Sequence, residues 1–428
     1  MIDHGDRFDL NPLQNHSSNA NHMRCHWQLN PKIVFFNHGS FGATPRVVLA
    51  EQRRLQDALE FDPIEFLAPE RSLESKLDQV REVMATLVGG NAGEIAFVRN
   101  ATEGVNAVLR SFPFAPGDQL VVTNHGYNAC NNAAQFAAQS RGAVVRVANV
   151  PFPLATAQEV VDAIESTFTA RTKLLLVDHV TSATGLVFPI QDIVDAAHRR
   201  NIRVLVDGAH APGMVALNLS ALGADYYTAN HHKWLCGPKA SGFLWVQPAW
   251  QSEVRPTTIS HAANRARPSR SRYAAEFDWQ GTFDPTPLLS VPTAIDFLSS
   301  LYPGGLPELM AANRQLALDA RACLLRGLDM TEPAPEQMIG SLVTLALPQA
   351  DGASVNGQEG RLQKRLRDHY HLELPIFPGI TSGSQLLRIS LQAYNDLDQV
   401  QVLVDALKQE IPRSSAGPRE TTNHQSGG

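Results

Sequence analysis

The sequence predicts an α/β fold, with a large domain on a mostly parallel seven-stranded sheet and a smaller α+β domain at the C-terminal end. Two observations carry this. Seven short apolar runs of buried-strand type recur between residues 95 and 246, with helical segments between most of them. From about residue 290 the pattern changes to long helical stretches separated by two strand-like runs. Composition agrees: 428 residues, 43% hydrophobic and 18% charged, are enough for two substantial cores.

The elements follow in chain order. Residues 1–30 are polar, lack the apolar stretch of a secretory signal, and read as a flexible arm. The large domain is expected over 31–289. Within it, residues 70–88 place Leu73, Leu77, Val80, Met84, Leu87 and Val88 at helical spacing, and Gly89-Gly90 stop that helix. The strand runs are IAFV (95–98), LVV (120–122), AVVRV (143–147), KLLLV (173–177), RVLV (203–206), YYT (226–228) and GFLWV (242–246). Helical segments such as 157–168 and 190–200 connect them, and YAAEFDW with the helix-like 290–301 leads out. The small domain is expected over 290–412, with helices at 307–326, 359–369 and 396–410 around SLVTLAL (341–347) and LLRISL (386–391). Residues 413–428 read as a disordered tail. The loop 254–273 carries five arginines; it reads as solvated and mobile, with a lid over an anionic substrate as the alternative.

Charge and cysteine usage narrow the function classes. A net charge of −6 and a pI near 6.2 give no reason to expect nucleic-acid or membrane binding. No apolar run reaches the length of a membrane span. Cys25, Cys130, Cys236 and Cys323 are scattered without a CxxC pair, which fits reduced thiols in a cytoplasmic protein rather than disulfides or zinc.

In an open α/β sheet, ligands collect beyond the C-terminal ends of the strands. Asp207 ends one strand run, and Lys233 follows the next, just ahead of an apolar Trp-Leu-Cys-Gly-Pro stretch. A buried lysine downstream of a strand-end aspartate is the minimal equipment for pyridoxal phosphate. The amine forms a Schiff base with the cofactor aldehyde, and the carboxylate keeps the pyridine nitrogen protonated. His179 follows KLLLV and Asp178; Asn124, His125 and Tyr127 follow LVV. Asn100-Ala101-Thr102-Glu103-Gly104 follows IAFV and opens a helix expected at Val105, where free N–H groups and a hydroxyl suit a phosphate. His231 and His232 are adjacent and point different ways, so no metal is expected. No GxGxxG opens a helix after the first strand, which ranks a nicotinamide-type fold last.

The chain resembles the class V aminotransferases, pyridoxal-phosphate enzymes of fold type I, and within them the isopenicillin N epimerase-like branch. The matching segments are FFNHGSFGATP (35–45), FVRNATEGVN (97–106), VDHVTSATG (177–185), VLVDGAHAPG (204–213), NHHKWLCGPKASGFLWV (230–246), WQGTFDPTP (279–287) and LRISLQAYN (387–395). The resemblance implies that Lys233 is the Schiff-base lysine and the acid/base at Cα, and that Asp207 pairs with the pyridine nitrogen. It places His210 and Ser182 near the phenolic oxygen and stacks Tyr127 on the ring. Thr102, the backbone of Ala101 to Glu103, Asn230 and His232 would meet the phosphate. Thr282 would reach it from a second subunit, making a homodimer with a shared site. Arg388 would hold the α-carboxylate of a small amino-acid substrate, with Asn37, His38 and Ser40 lining the pocket.

Desulfurases add a cysteine ahead of the carboxylate arginine; residues 374–388 contain none, which disfavours that reaction. Epimerase or racemase chemistry is the first expectation, with a second proton donor such as Tyr127 or His38. A C–S lyase or an aminotransferase is the alternative. A non-catalytic binding protein of the same fold is argued against by the joint presence of Lys233, Asp207 and Arg388.

Overall fold

The computed structural model describes residues 19–267, 269–348, 360–380 and 384–411. The first 18 residues of the expected arm and the expected tail lie outside them. The described strands are β1 (Val34–Phe35), β2 (Ile95–Val98), β3 (Gln119–Thr123), β4 (Val144–Ala148), β5 (Thr172–Asp178), β6 (Arg203–Asp207), β7 (Tyr226–Asn230), β8 (Gly242–Val246), β9 (Leu342–Pro348), β10 (Leu372–Glu373), β11 (Ile376–Pro378) and β12 (Ser384–Ser390).

β2 to β8 form one seven-stranded sheet in the order β2-β8-β7-β6-β5-β3-β4, and only β8 runs against the others. The apolar runs are continuous because both faces are covered. Val204 and Val206 of β6 pack into one core with Val121, Leu175 and Val177; Leu205 packs into the other with Leu120, Val122, Leu174 and Leu176. The C-terminal domain holds the antiparallel sheet β11-β12-β9, and helices Gly305–Leu328, Arg361–Tyr370 and Leu397–Glu410. β1 pairs with β10, so the N-terminal segment is stitched to this domain.

Several elements differ from expectation for identifiable reasons. Helix Ala101–Ser111 starts four residues before Val105, because the Asn100 side chain accepts the Glu103 N–H and caps it. Helix Arg46–Phe61 buries only Val48 and Leu55, so its apolar stripe was too thin to read. The expected arm is packed over its described part: Asn19–Arg24 is helical, and Trp27 sits edge-on to Tyr394 and Phe297 at 5.1 and 5.6 Å. The arginine-rich loop is exposed over much of its length, but four of its five arginines are tied down in ion pairs. Arg255 and Arg272 pair with Glu276, Arg267 with Glu74, and Arg270 with Glu74, Asp78 and Asp278. Most of its positive charge is thus paired with carboxylates of its own domain. No helix among the described residues is long and apolar enough to cross a membrane.

Helix Ala101–Ser111 lies so close to the sheet that a Cβ on Gly104 would fall 2.1 Å from Thr228 Oγ1, a hydroxyl already donating to Phe243 O. Gly104→Ala is expected to destabilise the protein by about 1–3 kcal/mol through overpacking. Urea unfolding checks this, and an unchanged midpoint would show that the helix can retreat freely.

Candidate active site

The sheet order places a switch point between β3 and β5: the chain steps out to β4 on one side, and to β6 and β7 on the other. Such a crevice at the strands' C-terminal ends is where this architecture binds ligands. Tyr127 lies on the turn after β3, while Asp178 ends β5 beside its register partner Asp207, which ends β6.

Asp207 is buried. Its carboxylate accepts from the Cys130 thiol at 3.1 Å and the Ala209 N–H at 3.0 Å. Among the described residues no lysine, arginine or histidine forms an ion pair with it. Burial pushes its pKa up, against these two bonds and the Lys233 charge. Asp178, also buried, is pushed well above the usual carboxylate range by burial and then by Asp207. Neither Asp178 nor Cys130 stood out as a site residue in the sequence; only the pairing of adjacent strand ends reveals them.

Lys233 lies past β7, with Nζ 2.8 Å from His210 Nε2. Burial first, then the Arg388 charge, lowers the amine to about 8. His210 is buried and held well below the usual histidine range by the same desolvation and by Lys233. The segment 37–44 packs on the lysine's backbone: His38 Nε2 is 3.0 Å from Lys233 O, and a Cβ on Gly42 would fall 2.6 Å from that oxygen.

His38 therefore does not line a pocket. It is fully buried between Tyr394 (Nδ1 to OH 2.7 Å) and Lys233 O, and burial lowers it to about 3. This corrects its expected role as a pocket residue and proton donor. Asn37 is likewise turned to Glu373, to which its amide donates at 2.9 Å.

The first turn of helix Ala101–Ser111 is also more committed than expected. The Ala101 N–H donates to Asn230 Oδ1 at 2.8 Å, and the Glu103 N–H to Asn100 Oδ1 at 2.9 Å. The Glu103 carboxylate pairs with Arg99. The N–H groups of Ala101 and Glu103 are thus engaged with asparagine side chains, while Asn230 uses only its carbonyl oxygen there. Thr102 stays beside Cys130, and His232 contacts Ser241 O at 3.4 Å. Asn124 and His125 bond Val150 O, and His179 bonds the Tyr227 hydroxyl, all as internal struts.

Arg388 on β12 is 1% exposed. Its Nη1 donates to Ser182 O at 2.5 Å and its Nη2 to Ser40 Oγ at 3.0 Å, while Nε has no partner. No carboxylate among the described residues pairs with it. Ser182 meets this arginine through its carbonyl, with its hydroxyl 3.5 Å from Nη1. Thr282 lines a separate cleft of about 400 Å³ with Phe97, Arg99, Glu103 and Phe283.

Residues 33–403 match the family model for class-V aminotransferases. The chain belongs to the class V aminotransferase family. It is 33% identical over 395 residues to isopenicillin N epimerase of Amycolatopsis lactamdurans, covering 89% of this chain and 96% of that one. It is 29% identical over 399 residues to a probable chloroplastic L-cysteine desulfhydrase of Arabidopsis thaliana, covering 88% and 83%. Among solved structures, a C-DES mutant with glycine covalently linked to its PLP cofactor superposes with a TM-score of 0.74 at 20% identity, covering 90% of this chain and 98% of that one. That likeness concerns the fold alone. Class V enzymes work with pyridoxal phosphate, and the residues present fit it. A buried carboxylate without a cation suits a pyridinium, and a buried amine near neutrality suits an aldehyde.

Capture of pyridoxal phosphate by the cofactor-free protein, followed by visible absorbance, is expected to accelerate roughly tenfold between pH 7 and pH 9, as the amine deprotonates. Lys233→Ala is expected to give no such absorbance. A capture rate flat over that range contradicts an amine titrating near 8.

Proposed function

We propose that this class V enzyme moves a proton at Cα of an amino-acid substrate, with epimerisation or racemisation as its net reaction. The observation that carries it is Arg388, a buried guanidinium without a protein carboxylate, whose charge is felt at the amine of Lys233. An α-carboxylate satisfies that charge, and the unpartnered Nε adds a second donor for it.

Bound in this crevice, pyridoxal phosphate supplies an aldehyde for amines and a ring that draws electrons from Cα. Asp207 holds the proton on the ring nitrogen. His210 donates to the phenolic oxygen, and Thr102 and His232 meet the phosphate. Arg388 orients the carboxylate so that the Cα–H bond faces Lys233, which takes the proton on one side. Epimerisation then needs a donor on the other side. With His38 sealed away, Tyr127 is that donor. The residue is 46% exposed, and partial burial, with Cys130 and Asp207 nearby, pushes the phenol up, so the hydroxyl keeps a proton to give. A two-fold dimer carrying Thr282 to the partner's phosphate is part of the same reading.

Similarity to L-cysteine desulfhydrases favours one second reading, β-elimination, which asks only for Lys233 and a leaving group. A desulfurase-type thiol has less support. Residues 374–388 hold no cysteine, and burial pushes Cys130 well above the usual thiol range and Cys236 up to about 12.

Candidate L-amino acids incubated in deuterated water are expected to gain Cα deuterium and to yield the D-enantiomer. Release of pyruvate, ammonia or sulfide without inversion would replace epimerisation by elimination. Tyr127→Phe is expected to keep exchange at Cα while losing inversion, read by chiral chromatography beside deuterium incorporation. Arg388→Lys is expected to lower kcat/KM about 30- to 100-fold, the loss of about 2–3 kcal/mol of bidentate contact. An unchanged kcat/KM would remove Arg388 from the substrate.

A further inference from the structure

The residue after the lysine has no role so far. Trp234 is 1% exposed, and its indole is held against the His38 ring at 5.1 Å between centroids. Its Nε1–H lies 3.4 Å from Nδ1 of His210, the same ring whose Nε2 lies 2.8 Å from Lys233 Nζ. An indole N–H only donates, so Nδ1 must offer a lone pair. The neutral ring therefore carries its proton on Nε2. An imidazolium would set N–H against N–H at the indole, and burial beside Lys233 disfavours it as well. A proton on Nε2 aimed at Nζ requires a lone pair there, which an ammonium lacks.

We propose that Trp234 is a positioning residue: it fixes His210 as the Nε2–H tautomer, and through that ring holds Lys233 as the free amine that captures the cofactor. The groups facing this pair are Arg388, His232, His38, Asp207, Asp178 and Cys130. Arg388 favours the neutral amine, whereas the two carboxylates favour the ammonium. A neutral donor bonded to Nζ shifts that contest toward the amine. The same N–H stays available to the cofactor's oxygen once the amine has reacted.

The inference rests on Lys233 as the cofactor lysine, but its tests need no turnover, so it can fail separately from the proposed reaction. In full-length protein carrying ¹⁵N-histidine and freed of cofactor, the His210 resonances, assigned by their loss in His210→Gln, are expected to show Nε2–H at pH 9, where the amine is free. An Nδ1–H tautomer or an imidazolium overturns the proposal. Reductive methylation of Lys233 by formaldehyde and cyanoborohydride, read by peptide mass against pH, is expected to shift its midpoint up about one unit in Trp234→Phe, a roughly tenfold loss of labelling at pH 7. An unchanged midpoint in folded Trp234→Phe overturns it. In a His210→Gln background, where the amide donates regardless of the indole, Trp234→Phe is expected to cause no further shift. A further shift means that the tryptophan acts by packing alone and overturns the proposal. If Trp234→Phe does not fold, the tautomer measured in the unmodified chain decides.

Discussion

Two charges of opposite sign, Asp207 and Arg388, are buried without a protein counter-ion, and both act on the amine of Lys233. Desolvating an ion costs several kcal/mol even after relaxation, and an opposite charge normally offsets that cost. Here each is held instead by dipoles: a thiol and a backbone N–H on the carboxylate, a carbonyl and a hydroxyl on the guanidinium. Such bonds orient a charge without neutralising it. What remains is a site whose stability improves when a ligand brings a cation to one end and an anion to the other, and a protonated pyridine ring joined to an amino acid is such a ligand.

The scaffold's main task is to keep those charges in place. Asp207 is fixed because β6 is interior to the sheet, with β5 and β7 paired on its two sides. Arg388 is fixed because β12 is the middle strand of its own sheet. Segment 37–44 is one of the places where the two domains meet, beside direct contacts such as Thr344 Oγ1 to Ala183 O and Val187 N–H to Met338 O. Gly39 N–H donates to Ser390 Oγ at 3.0 Å, Ser40 reaches Arg388, and His38 reaches the carbonyl of Lys233. One short stretch of chain therefore touches both Arg388 and Lys233.

Legibility in the sequence followed the physics of each feature. Strand runs buried on both faces leave an unbroken apolar signal, so the strands of the central sheet other than the exposed edge strand β4 could be read this way. Lys233 and Asp207 could be read because a charge next to an apolar strand is anomalous by itself. The remaining parts of the site depend on neighbours distant in sequence. Asp178 gains meaning only when β5 lies beside β6, and Trp234 only when its indole meets His210, 24 positions away. The engagement of the Ala101 and Glu103 N–H groups is hidden in the sequence for a related reason. A helix N-terminus is an anion site only while its N–H groups are free, and here Asn100 and Asn230 had already taken two of them.

The same logic bears on which reaction the crevice favours. Removing a proton from Cα asks for one base, and Lys233, lowered to about 8 by burial and Arg388, is suited to take it and give it back. Returning it on the opposite side asks for a second acid that keeps its proton near neutral pH. Buried imidazoles fail that test: His38, His125, His179 and His210 are all lowered by burial, and each is bonded through at least one ring nitrogen. A phenol raised by desolvation passes it. Tyr127 is placed on the turn after β3, across the switch point from the strands that carry Asp207 and lead to Lys233. Elimination has no use for that hydroxyl, whereas inversion depends on it, so the outcome turns on whether a raised, accessible phenol at this position acts as an acid or only as a flat surface.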